Sequence, residues 1–148
     1  TLNGVTYGNS TFVTVGDSGT IITSSDGTSW DNRTSGTTNT LNGVTYTNST
    51  FVAVGNSGTV LKSSDGTTWT TVSATYEHPD NGTISLTDHF NGVTYGSGTF
   101  VAVGTYDNGS SSIITSTDAT SWTYRTSGTT NTLSSSSRPG KSGVTYKE

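Results

Sequence analysis

Residues 2 to 30 read LNGVTYGNSTFVTVGDSGTIITSSDGTSW, and residues 41 to 69 read LNGVTYTNSTFVAVGNSGTVLKSSDGTTW. The two align without a gap and agree at 22 of 29 positions. A third copy runs from FNGVTYGSGTFVAVG (90 to 104) through IITSTDATSW (113 to 122), and SGVTY (142 to 146) opens a fourth. Repetition at a fixed period signals an array of like units, so the structure of one copy decides the fold of the chain.

Inside a copy the apolar residues recur every second position and are interrupted by turn formers, the mark of short antiparallel strands. The pattern predicts strands at 4–7, 11–15, 20–24 and about 31–34. The turns fall at Gly8-Asn9-Ser10, at Gly16-Asp17-Ser18-Gly19 and at the SSDGTS run. Four strands in about 40 residues make one small sheet, the size of a propeller blade.

Each copy ends in SSDGTSW (24 to 30), SSDGTTW (63 to 69) or STDATSW (116 to 122). A hydroxyl, a carboxylate and an indole at fixed spacing can be a reactive site or a turn. Catalysis would need a base, and no histidine lies in any of the three. A carboxylate at a tight turn accepts hydrogen bonds from N–H groups just ahead of it, so Ser24/Asp26, Ser63/Asp65 and Ser116/Asp118 read as turn ties. Trp30, Trp69 and Trp122 are expected to fill the space between sheets.

These residues carry a resemblance. The repeat resembles the Asp-box, or BNR-like, β-propeller repeats of sialidases and photosystem II stability factors, whose motif is roughly Ser-x-Asp-x-Gly-x-Thr-Trp between the third and fourth strands. Here the motif is one residue shorter, and Ala119 replaces the glycine of the third copy. The resemblance covers nearly the whole chain and implies an all-β, β-propeller fold of four-stranded antiparallel blades: repeats at about 2–40, 41–89 and 90–141, with the start of a fourth at 142–148, in one domain over 1–148. A β-trefoil, with three repeats and about 150 residues, is the alternative fold. Sialidases of this kind hold a carboxylate with three arginines and use a Tyr–Glu pair and an acidic Asp. Here Arg33 and Arg125 are repeat elements, Arg138 lies in a Ser-rich stretch, and Glu77 is the one interior glutamate. Those roles therefore transfer to no residue, and no catalytic residue is assigned.

Composition narrows the function classes. Ser and Thr make up 58 of 148 residues, 27% of the chain is hydrophobic and 11% is charged. Low hydrophobicity implies disorder only alongside high net charge, which this chain lacks. A net charge of -4 with six scattered Lys and Arg argues against nucleic acid. No apolar run approaches the roughly 20 residues of a membrane-spanning helix, so membrane insertion is not expected. The absence of cysteine removes disulfides and thiolate sites. The sequence opens at Thr1 without Met, which reads as a processed product or an excerpt of a longer chain.

In an antiparallel meander, the turns after strands one and three share one end and those after two and four the other. The first set barely changes between copies. The second carries nearly all the length variation: GDSGT and GNSGT become GTYDNGSSS (104 to 112), and the segment after the second copy expands to TTVSATYEHPDNGTISLTDHFN. Varied loops on a rigid scaffold are where binding groups collect. The candidate ligand-binding residues are accordingly Tyr76, Glu77, His78, Asp80, Asp88, His89, Tyr106, Asp107, Asn108, Tyr124 and Arg125, with the tyrosines as stacking surfaces. The two histidines fit no metal motif, so neither a metal site nor a cofactor is assigned. The bland reading of residues 76–89 is a solvated loop between blades. Asn9, Asn32, Asn48, Asn81 and Asn108 head Asn-x-Ser/Thr sequons, a number close to chance for this composition.

Three blades and a strand fall short of the four to eight that close a propeller. The expected partners are therefore further copies of the chain, through blade edges or the GVTY strand at the C-terminus, as well as a glycan or surface protein. The leading functional expectation is a non-enzymatic extracellular or cell-surface binding and adhesion module. A self-assembling structural or filament subunit is the first alternative, and a fragment of a sialidase-like glycoside hydrolase is the second.

Overall fold

The computed structural model describes residues 1–78, 82–106 and 111–128, with backbone only at 76–78 and 82–84. The GVTY stretch at 143–146, the serine run at 134–137, and Asp80, Asn81, Asp107 and Asn108 lie outside the described residues. Each copy of the repeat forms a separate antiparallel meander. Sheet 1 holds β1 (Leu2–Gly8), β2 (Thr11–Gly16), β3 (Ile21–Ser24) and β4 (Asp31–Arg33). Sheet 2 holds β5 (Leu41–Thr47), β6 (Thr50–Gly55), β7 (Val60–Ser63) and β8 (Thr70–Val72). A two-stranded hairpin, β9 (Thr75–His78) and β10 (Gly82–Ser85), follows. Sheet 3 then holds β11 (His89–Gly96), β12 (Thr99–Thr105), β13 (Ser111–Ser116) and β14 (Thr123–Arg125).

Strand order follows chain order in every sheet, and the sheets stack face to face instead of closing into a shared barrel. This makes the fold an all-β propeller arrangement and excludes the trefoil. Registers repeat between copies: Tyr7 opposes Phe12, Tyr46 opposes Phe51 and Tyr95 opposes Phe100. Each first strand also shifts register at the same place, between Leu2 and Gly4, Leu41 and Gly43, and Phe90 and Gly92. There the first strands of neighbouring sheets meet, β1 against β5 and β5 against β11. Side-chain amides stitch them: Asn3 Nδ2 donates to the Leu41 carbonyl at 3.0 Å, and Asn42 Nδ2 to the Phe90 carbonyl at 2.8 Å. The first strands thus form the inner line of the stack.

Because strand side chains alternate, every sheet has two apolar faces. Val13, Val15 and Ile21 of sheet 1 pack on Val44, Phe51, Ala53 and Leu61 of sheet 2. The opposite face of sheet 2, with Val52, Val54, Val60 and Val72, packs on Phe90, Val93, Phe100, Ile114 and Trp122 of sheet 3. A Tyr, a Phe and a Trp form an aromatic row in each sheet, with Phe51 to Trp69 at 6.3 Å and Phe100 to Trp122 at 6.4 Å.

Two expectations need correction. Trp30 does not fill a gap between sheets: it is 39% exposed, whereas Trp122 is 5% exposed. Among the described residues no sheet lies over its face of sheet 1, so the row of side chains that is covered in sheets 2 and 3 is more exposed there. The segment after sheet 2 is also not a plain loop. It folds as the β9–β10 hairpin, with Thr75 opposite Ser85 and His78 opposite Gly82. The bond from Leu86 N–H to the Ala74 carbonyl (3.0 Å) holds its base together.

Candidate binding site

The two ends of the sheets differ in how completely their polar groups are satisfied. At the end holding the β3–β4 turns, the Ser–Asp pair closes on itself three times. Asp26 Oδ1 accepts N–H bonds from Thr28 and Ser29 at 2.8 and 2.9 Å, while Ser24 Oγ donates to it and accepts from Gly27 N–H. Asp65 repeats this with Thr67, Thr68, Ser63 and Gly66, and Asp118 with Thr120, Ser121 and Ser116. The backbone N–H bonds, from Ser29, Thr68 and Ser121 above all, hold all three carboxyls below the usual carboxylate range. One oxygen of each carboxylate, Oδ1, is thus committed to its own turn. A depression of about 320 Å³ lies at this end between sheets 2 and 3. Lys62, on its wall, already donates to Thr120 Oγ1 at 2.6 Å.

The opposite end carries the β2–β3 turns and the crossovers between sheets. Thr20 Oγ1 and Thr59 Oγ1 donate to the carbonyls of Asp17 and Asn56, closing the turns. The crossover from sheet 1 is pinned by Asn39 Nδ2 to Thr59 Oγ1 (2.9 Å) and by the buried Ser35, whose Oγ donates to the Thr37 carbonyl. Two depressions adjoin here. One of about 640 Å³ runs from Ser18 and Arg33 along residues 34–39. The other, about 300 Å³, shares Gly36, Thr37 and Asn39 and continues past Ser57 and Ser73 to Leu86. The RTSGTTN stretch that lines them was not among the candidate residues, although its recurrence at 33–39 and 125–131 marks it in the sequence.

The candidates separate into three groups. Tyr76, Glu77 and His78 lie on β9 at this end, at the root of the hairpin's tip. Tyr106 and Tyr124 come together, ring centroids 6.0 Å apart, beside the exposed Arg125, whose Nε donates to Thr115 Oγ1 at 3.0 Å. Arg33 holds the same position in sheet 1, bonded to Thr23 Oγ1 and paired with Asp31 at 3.2 Å. Asp88 and His89 lie where sheet 3 meets the β6–β7 turn of sheet 2. Asp88 is buried, accepts from Ser112 Oγ, and through its carbonyl takes the Gly58 N–H at 2.7 Å. His89 Nδ1 faces the Ser57 N–H at 3.4 Å. Among the described residues no three His, Asp or Glu side chains gather as metal ligands. Of the sequons, Asn9 and Asn48 stand on exposed turns and Asn32 on an exposed edge strand. The Asn48 amide also donates to Tyr95 OH at 2.6 Å.

No family model and no curated protein matches the sequence. Solved structures do share its fold. The chain is similar to YCF48 bound to D1 peptide, at 17% identity and a TM-score of 0.63, over 84% of this chain and 40% of that one. It is also similar to YCF48 from Cyanidioschyzon merolae, at 18% identity and a TM-score of 0.59, over 83% of this chain and 36% of that one. The chain thus spans about two fifths of the length of these structures, and what the likeness establishes is the β-propeller fold.

Proposed function

We propose that this chain is a non-enzymatic binding module, displayed outside the cell or on its surface, that takes a protein segment or a glycan at the loop end of its sheets. One observation carries the reading: the variation in length between copies falls at the end where two depressions adjoin, while the other end repeats one turn three times. Length variation concentrated on one end of a repeat scaffold suits recognition, because the sheets hold their shape whatever the loops become. The β9–β10 hairpin, the Tyr106–Tyr124 pair and Arg125 supply strand, stacking and charge at that end. A peptide is the favoured ligand: YCF48, a propeller of similar fold, is seen bound to D1 peptide.

Parallel screens of the chain on peptide and glycan arrays test the reading. The expected result is peptide hits that weaken at least tenfold in a Tyr124→Ala variant and persist in Trp30→Ala. Glycan hits alone would make the module a lectin, and hydrolysis of a bound glycan would overturn the non-enzymatic reading. Fractionation of the source cells, with the protein found only in the cytoplasm, would overturn the proposed location.

A further inference from the structure

The gap between sheets 1 and 2 and the gap between sheets 2 and 3 are lined by the same repeat positions and filled differently. In sheet 1, Arg33 and Asp31 stand opposite Ile21 and Thr23 and share the side of the sheet that faces sheet 2. Arg33 Nε donates to Thr23 Oγ1 at 2.8 Å, and its Nη2 pairs with Asp31 at 3.2 Å, so a cation, a carboxylate and a hydroxyl answer one another. In sheet 2 the register sets Val72, Thr70 and Lys62 where Arg33, Asp31 and Thr23 stand in sheet 1. The guanidinium and the carboxylate are both gone, and the cation has moved from the fourth strand to the third. Sheet 3 returns to the first pattern, with Arg125 Nε on Thr115 Oγ1.

The depression of about 320 Å³ between sheets 2 and 3 lies at this exchange, within the stack and between two described walls. Lys62 brings to it a charge without an answering charge. The half-buried side chain crosses to sheet 3 and donates to Thr120 Oγ1 at 2.6 Å, a neutral partner, and among the described residues no carboxylate pairs with it. An ammonium has three donors, so two remain. Asp118 contributes from sheet 3. The bonds it accepts from Thr120 N–H, Ser121 N–H and Ser116 Oγ all end on Oδ1, which leaves Oδ2 to accept from a ligand hydroxyl. The rest of the lining is Ser and Thr throughout, Thr50, Ser64, Thr68 and Thr70 among them. Such walls suit a polyol more than an apolar group. A cation on one wall and a carboxylate oxygen on the other call for a ligand that is anionic at one point and hydroxylated elsewhere. The volume lies at the lower end of ligand sites, which fits one sugar ring and not a longer chain.

We propose that this depression is a second binding site, which takes a hexuronate ring with its carboxylate on Lys62 and a ring hydroxyl donating to Asp118 Oδ2. The ligand's carboxylate plays beside Lys62 the part that Asp31 plays beside Arg33. The site is at the end of the sheets opposite the variable loops, so it stands whether or not the loop end binds peptide.

Titration of the isotope-labelled chain with sodium glucuronate, followed by amide chemical shifts, tests it. Saturable shifts are expected at Thr50, Thr70 and Thr120, with glucose, acetate and glycine each binding at least tenfold more weakly. Lys62→Thr installs the residue that the first and third copies carry, so the sheet is expected to keep its shifts in the absence of sugar and to lose at least tenfold in glucuronate affinity. Tyr124→Ala, at the loop end, is expected to leave that affinity unchanged. Absence of localised shifts overturns the proposal, as does glucuronate binding indifferent to Lys62→Thr. Glucose bound as tightly would mean a neutral-sugar site, acetate a bare anion site and glycine an amino-acid site, and any of the three overturns the uronate assignment. Glucuronate binding lost in Tyr124→Ala would put the sugar at the loop end and overturn it equally.

Discussion

Trp122 and Trp30 occupy one position of the repeat and meet opposite environments. Trp122 is enclosed between sheets 2 and 3, so truncation to Ala is expected to cost about 3–5 kcal/mol. Trp30 rests on Phe12 at 6.4 Å with its other side open, and the same change should cost about 1 kcal/mol or less. Urea denaturation of both variants checks the contrast. The indoles differ in a second respect: Trp69 Nε1 donates to the Gly66 carbonyl at 2.9 Å, while the buried Trp122 Nε1 has no partner among the described residues. Replacement by Phe should therefore be tolerated better at 122 than at 69. The three turn carboxylates carry a pH dependence of known sign. Their folded pKa values lie below the ordinary 3.8, so the unfolded chain binds more protons as acid is added. Their stabilisation is complete above about pH 4 and is lost as the pH falls through the folded values. Urea midpoints should drop on acidification in the wild type and change less in an Asp26→Asn, Asp65→Asn, Asp118→Asn variant, which starts from lower stability at neutral pH.

Among the described elements, the β6–β7 turn is tightly keyed to its surroundings. Gly58 has φ of +67°, its N–H bonds the Asp88 carbonyl, and a Cβ there would stand 1.9 Å from the Leu86 carbonyl oxygen. Gly58→Ala is expected to cost at least about 2 kcal/mol, since left-handed strain adds to a clash with backbone. Gly36, with φ of +76° and open space around it, isolates the strain alone, and Gly36→Ala should cost about 1 kcal/mol. Thermal denaturation of the pair separates the two causes. The β9–β10 hairpin is the element the sequence reading passed over. Its signals were present, with Thr75-Tyr76 and Thr83-Ile84 flanking Pro79-Asp80-Asn81-Gly82, a turn-forming run between strand formers. Set between regular copies, the segment reads as a variable loop that carries candidate binding residues, with no strands of its own. The burial of Asp88 had no local signal, because its partner Ser112 is 24 residues away in sequence.

At the scale of the whole molecule, one four-stranded sheet follows another in the blade-like manner of a propeller. The first strands lie along a common inner line, and apolar faces alternate with apolar faces. Among the described residues, Leu2, Val5 and Tyr7 of sheet 1 stand more exposed than their counterparts in sheets 2 and 3. The strands, their turns and their threefold recurrence were determined by the sequence itself, because period-two alternation and turn chemistry act within a few residues of each other. So was the division into a constant end and a variable end, which follows from strand order alone. Which Trp is buried, which Asp is buried and which indole lacks a partner among the described residues were decided only by the tertiary structure. Copies with nearly the same local sequence differ in these respects because burial and hydrogen bonding are completed by the neighbouring sheet, and the neighbours differ along the stack.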